Sequence, residues 1–185
     1  MVAKINMLKI KRIISVEEFN SVFLKTVKDF EENLFVNWYY AAKFTKAILD
    51  IHNSVIAKVA DELKLQYFRE YYTLDGILYE EASSVLTRGT YVRSINVALE
   101  HENDFKTSYI ELNKLCLFNA PLKVLITYPL YKDDIGRIIP NYNTIVKESD
   151  TPDQQKYLVI FGLKDNDKIL WQSYVYKESK FQLKS

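Results

Sequence analysis

Tyr91-Val92-Arg93-Ser94-Ile95-Asn96-Val97-Ala98-Leu99-Glu100-His101-Glu102 is the stretch whose reading decides the fold. Val92, Ile95, Val97 and Leu99 supply the β-branched and aliphatic content of a strand. Side chains of a strand alternate between its faces, so Val97, Leu99 and His101 point one way, and Asn96, Ala98, Glu100 and Glu102 the other. Two carboxylates therefore share one face at the end of an otherwise apolar strand. A helix is expected next, from about Lys106 to Phe118, capped by Asp104 or Ser108 and ended by Ala120-Pro121. Leu122-Lys123-Val124-Leu125-Ile126-Thr127-Tyr128 then forms a short apolar run between Pro121 and Pro129, as a buried strand would. Strand, helix and strand make a βαβ unit, and hence an α/β fold with a parallel pair at its centre.

Upstream, Ser15-Val16-Glu17-Glu18 reads as a capping box that opens a helix. Val16, Phe19, Val22, Phe23, Val27 and Phe30 give that helix one apolar stripe, as far as about Glu32. A second, longer helix is expected over about Trp38 to Lys64, where no Gly or Pro interrupts the helical period. At Leu65 the period changes. Gln66 to Tyr72 is aromatic-rich and suits a first strand, Thr73-Leu74-Asp75-Gly76 reads as a turn, and Ile77 to Tyr79 continues as a second strand of a hairpin. Residues 81–90 carry no clear period. Downstream, 129–149 reads as a weakly helical connection punctuated by Pro129 and Pro140. Tyr157–Lys164 and Lys168–Lys177 form a hairpin over Asp165-Asn166-Asp167.

Composition narrows the function classes. A chain of 185 residues, 48% hydrophobic, fits a single domain with its own core. One cysteine, Cys116, allows no internal disulfide, and with only His52 and His101 beside it there is no ligand set for structural zinc. No run approaches the ~18 apolar residues of a membrane span, and no apolar segment of a signal peptide follows the basic start, so a cytoplasmic protein with no membrane partner is expected. The net charge of +1 gives no global attraction to a polyanion. Basic residues cluster only near the ends, at Lys4, Lys9, Lys11 and Arg12 and at Lys177, Lys180 and Lys184, and such runs are commonly solvated termini. The four glycines are too dispersed for a phosphate-binding loop. Trp38-Tyr39-Tyr40 and Tyr67 to Tyr72 could stack bases, but aromatic clusters are far more often core, and they are read here as core. Cys116, among Leu112, Leu115 and Leu117, reads as inert packing.

Leu74-Asp75-Gly76-Ile77-Leu78-Tyr79 and Val97-Ala98-Leu99-Glu100-His101-Glu102-Asn103, in this order of elements, resemble the PD-(D/E)xK nuclease superfamily, which includes many restriction endonucleases. The resemblance runs from about Gln66 to Tyr128. It implies a mixed central sheet with an αβββαβ core (core motif region 65–128), here preceded by an N-terminal helical pair (1–64) and followed by a C-terminal helix and β-hairpin (129–185). It further implies that Asp75 and Glu100 converge on a divalent metal. Glu102 stands where the family usually has lysine. Some similar members carry an acid there, and others place the lysine on the following helix, where Lys114 is the first candidate and Lys106 the second.

The residues themselves suit the same chemistry. Magnesium takes oxygen ligands, usually one or two carboxylates with waters and phosphate oxygens, and Asp75, Glu100 and Glu102 could supply them, with Mg²⁺ or Mn²⁺ as cofactor. Glu102 could instead orient an attacking water as general base, and Lys114 could stabilise the charge on the scissile phosphate. The expected function is metal-dependent hydrolysis of DNA phosphodiester bonds. The alternatives are a non-catalytic nucleic-acid-binding or regulatory protein on the same fold, and an unrelated α/β interaction protein in which Asp75 lies far from Glu100. A homodimer is compatible with the resemblance. His101 is expected to pack in the core, His52 to lie mid-helix, and Glu70 to be either an extra ligand or a surface residue.

Overall fold

The computed structural model describes residues 12–82, 91–150 and 154–184. Lys4, Lys9 and Lys11, and most of the unpatterned 81–90 stretch, lie outside the described residues.

Ser15 caps α1 (Val16–Asp29), its hydroxyl accepting from the Glu18 backbone N at 3.0 Å. The Glu18 carboxylate does not return to Ser15 but takes the Arg12 guanidinium. A separate short helix, α2 (Glu31–Asn37), follows. The single long helix expected after it is two: α3 (Ala41–Leu49) and α4 (Val55–Leu63). The break has a local cause. Asp50 Oδ1 accepts from His52 N at 3.0 Å, while Ser54 donates to the Asp50 carbonyl at 2.6 Å and accepts from Ala57 N at 3.2 Å. These side-chain bonds satisfy backbone groups that would otherwise continue the helix. The expected helical pair is thus a set of four helices, and His52 lies in the exposed loop between two of them rather than mid-helix.

β1 (Gln66–Tyr71) and β2 (Leu74–Glu81) form the expected hairpin, but the turn is shorter and earlier than read, with Tyr72 and Thr73 between the strands. Leu74, Asp75 and Gly76 therefore belong to the strand. β2 pairs antiparallel with β3 (Val92–Glu102), and β3 pairs parallel with β4 (Leu122–Thr127) across α5 (Ser108–Cys116). A 17-residue helix, α6 (Lys132–Glu148), replaces the expected weak connection, with Pro140 inside it. The residue four before Pro140, whose carbonyl its ring crowds, is Gly136.

β5 (Lys156–Asp165) lies parallel to β4 and begins a three-stranded meander with β6 (Lys168–Lys177) and β7 (Lys180–Leu183). The expected C-terminal hairpin has gained a strand. The result is an α/β fold with an open, mixed, seven-stranded sheet in sequential order β1 to β7. One face packs on α1, α3 and α4 through Val97, Leu99, Val124 and Ile126. The other packs on α5 and α6 through Ala98, Leu125, Val159 and Phe161. Among the described residues, no helix is long and apolar enough to cross a membrane.

A cluster of rings joins the end of the sheet to the first helical layer. Tyr128 meets Trp38 at 5.5 Å, Phe44 at 4.9 Å, His101 at 5.3 Å and Trp171 at 6.1 Å between ring centroids. Gly162, on the neighbouring strand, makes room for it: a Cβ there would stand 2.8 Å from the Tyr128 ring and 3.1 Å from Trp171. The Tyr128 ring is held on several sides and cannot yield cheaply. Gly162→Ala is therefore expected to destabilise the fold by about 1–3 kcal/mol, measured by urea unfolding, as overpacked cores do. An unchanged midpoint would show that the ring cluster is loose.

Candidate functional site

Asp75 opens β2 one step beyond the Gly76–Leu99 pair, which brings it opposite Glu100 on β3. Its Oδ2 accepts from the His101 backbone N at 2.8 Å, so the side chain is pinned to the strand that carries Glu100. Glu100 has no solvent-accessible surface, and neither of its carboxylate oxygens has a properly directed hydrogen bond. Burial and the nearby Asp75 charge push its pKa up to about 9, against the partial relief that Lys114 provides. An unsatisfied buried carboxylate costs free energy and calls for a cation.

Lys114 is that cation. It reaches down from α5, and its Nζ lies 3.0 Å from Glu100 Oε1 and 2.5 Å from Glu111 Oε2, while donating to the Thr73 carbonyl at 2.9 Å. Burial pulls the Lys114 pKa down, but Glu111 and Glu100 together outweigh it and raise it. The amine thus ties together β3, α5 and the β1–β2 turn. Glu111 was not foreseen from sequence, although its place three residues before Lys114, on the same helical face, is the signal that could have found it.

Glu102 lies on the same strand face as Glu100 but turns back on its own loop, where its Oε1 accepts from Asp104 N at 2.6 Å. Asp104 in turn accepts from Lys106 N at 3.0 Å, so it shapes the loop before α5 rather than capping the helix, whose N-cap is Thr107. Lys106 lines a cavity of about 510 Å³ beside this loop, at the carboxyl ends of β3 and β4. Glu70 stays apart, paired with Arg69 at 3.1 Å. His101 faces the opposite layer, among Phe44 and Tyr128, where burial pulls its pKa down to about 3. It is a neutral core residue at any physiological pH.

The site is therefore Asp75, Glu100 and Lys114, with Glu111 behind the lysine and Glu102 at the margin. Among the described residues, no three His, Cys, Asp or Glu side chains gather at one point. No protein-family model, curated protein or solved structure matches the chain.

The buried carboxyl leaves a signature in stability. Glu100 keeps its proton up to about pH 9 in the fold but ionises near 4.5 when unfolded. Between those values the unfolded chain binds fewer protons, so stability falls as pH rises across the window. Glu100→Gln removes that slope. In chelator, urea unfolding is expected to show the variant more stable than wild type at pH 8, with the gap closing towards pH 5. Parallel curves for the two proteins would mean that Glu100 is ionised and well paired throughout.

Proposed function

We propose that the chain is a metal-dependent nuclease, hydrolysing DNA phosphodiester bonds on a restriction-endonuclease-like core formed by α4, β1, β2, β3, α5 and β4. The observation that carries the reading is the approach of Lys114 from the helix to Glu100, beside Asp75 on the adjacent strand. An acid from each of two neighbouring strands and a lysine from the next helix come together, which resembles the PD-(D/E)xK arrangement with its lysine moved.

The donor set suits magnesium. Two carboxylates are as many as that ion usually takes from a protein, and burial and the Asp75 charge keep the Glu100 pKa raised even with Lys114 at 3.0 Å, so the acid pair would gain from a further cation. Asp75 and Glu100 would hold the ion, which when bound supplies Lewis acidity at a phosphoryl oxygen and activates water. The remaining roles fall to the chain itself. Lys114 places positive charge where the scissile phosphate arrives, and its bonds to Thr73 and Glu111 fix the amine in position. Glu102, at the margin of the site, would orient the attacking water and accept its proton through the oxygen that Asp104 N leaves free. A second reading, nucleic-acid binding without cleavage, draws on the turn of Glu102 away from the other two acids.

Cleavage of plasmid and single-stranded DNA with Mg²⁺ or Mn²⁺ separates the two. Wild type is expected to cut in a metal-dependent way, folded Asp75→Ala and Glu100→Ala to be inactive, and Lys114→Ala to lose about 10²–10³-fold in rate, as for other transition-state charge donors. A folded wild type that cuts with neither metal, or cutting retained in both acid variants, would overturn the assignment.

A further inference from the structure

Trp38 packs inward against Phe44 and Tyr128, and this sends the next two rings outward: Tyr39 is 78% and Tyr40 60% exposed. The sequence reading had placed both in the core. Each carries a cation on one face. Lys164 Nζ stands 4.1 Å from the Tyr39 ring centroid, and Lys43 Nζ stands 5.1 Å from that of Tyr40. Among the described residues neither lysine has a carboxylate partner. Exposed aromatic rings with uncompensated lysines beside them suit a ligand that has flat π-faces and negative charge at regular intervals.

The position of these rings connects them to the acids. Tyr39, Leu130, Lys164 and Asn166 line a cavity of about 330 Å³ at the carboxyl ends of β4 and β5. Leu130, 75% exposed, also borders the 510 Å³ cavity that contains Lys106 and Arg137 and begins at Asn103, one residue past Glu102. The two cavities share Leu130 and together run across the carboxyl ends of the strands, from Asn103 beside Glu102 to Tyr39.

We infer that this path binds an unpaired nucleic-acid strand, with bases stacking on Tyr39 and Tyr40 and phosphates passing Lys43, Lys106 and Lys164, while Arg137 stays paired with Asp134 at 3.3 Å. A duplex keeps the faces of its bases inside the stack. Only a single strand, a frayed end or a flap can present them to a protein ring, and such stacking tolerates any sequence because every base has a π-face. The inference deepens the nuclease reading by naming the form of substrate delivered to Asp75 and Glu100, and it rests on that reading only for the cutting step.

The test is fluorescence anisotropy with a labelled 20-nucleotide DNA strand and its duplex, in chelator so that nothing is cut. Wild type is expected to bind the single strand at least about 10-fold more tightly than the duplex. The double variant Tyr39→Ala/Tyr40→Ala, whose fold is checked by circular dichroism, is expected to lose at least about 30-fold. Tyr39→Phe/Tyr40→Phe keeps the rings and is expected to retain the affinity. Lys43→Ala/Lys164→Ala should flatten the salt dependence by about 1.4 in log–log slope, for two phosphate contacts on a single strand.

Binding that depends on the rings supports the path even if wild type cuts nothing, in which case only the catalytic reading fails. Equal single-strand affinity of wild type and the alanine variant, tighter binding of the duplex, or no binding to either overturns it, even where plasmid is cut. So does a wild-type dimer that the alanine variant abolishes, because the rings would then be buried between two copies.

Discussion

The structure depends on β3 being enclosed on all sides. It is paired with β2 on one edge and β4 on the other, and helices cover both of its faces. Val97, Ala98 and Leu99 meet that enclosure with apolar side chains, and Glu100 meets it with a carboxylate that no water reaches. Everything around Glu100 follows from the cost of that burial. Either its proton is retained or a cation must come to it, and the fold brings Lys114 from the helix that leaves the same strand. Asp75, opposite on β2, raises the need for positive charge further. A structural protein would gain by replacing the two acids and the lysine with apolar residues of similar volume. Their arrangement suits the divalent ion proposed above, which would bring positive charge of its own.

The same sheet edge that holds the acids also ends in the ring cluster around Tyr128. Stability and the proposed strand path would therefore be coupled there. Trp38 is anchored by Phe44 and Tyr128, and Tyr128 has its place because Gly162 lacks a side chain. The exposed Tyr39 and Tyr40 follow the anchored Trp38 directly, in the turn between α2 and α3.

What the sequence made legible was what strong local pattern supports. β3, α5 and β4 come within two residues of their expected bounds because Pro121 and Pro129 bracket an apolar run and the period changes between elements. The alternation along β3 correctly separated Glu100 from His101. Failures arose where a weak local signal decided the outcome. Asp50 and Ser54 lie inside a run free of glycine and proline, so a break made wholly from side-chain bonds escaped the period. β7 has four residues, of which only Phe181 is buried, too few for any alternation to register. Glu102 was put on the correct face, but the backbone N of Asp104 captured its carboxylate, which spacing cannot reveal. Tyr39 and Tyr40 were read as core because the pattern cannot tell an aromatic neighbour of the core from a member of it.

The central claim is that Asp75 and Glu100 hold one divalent ion. Electron paramagnetic resonance of free Mn²⁺, titrated with purified protein at pH 8, tests it without requiring a substrate or any turnover. The account predicts one bound Mn²⁺ per chain in wild type, lost in Glu100→Gln and in Asp75→Asn although both remain folded. No binding in wild type, or undiminished binding in both variants, would contradict it.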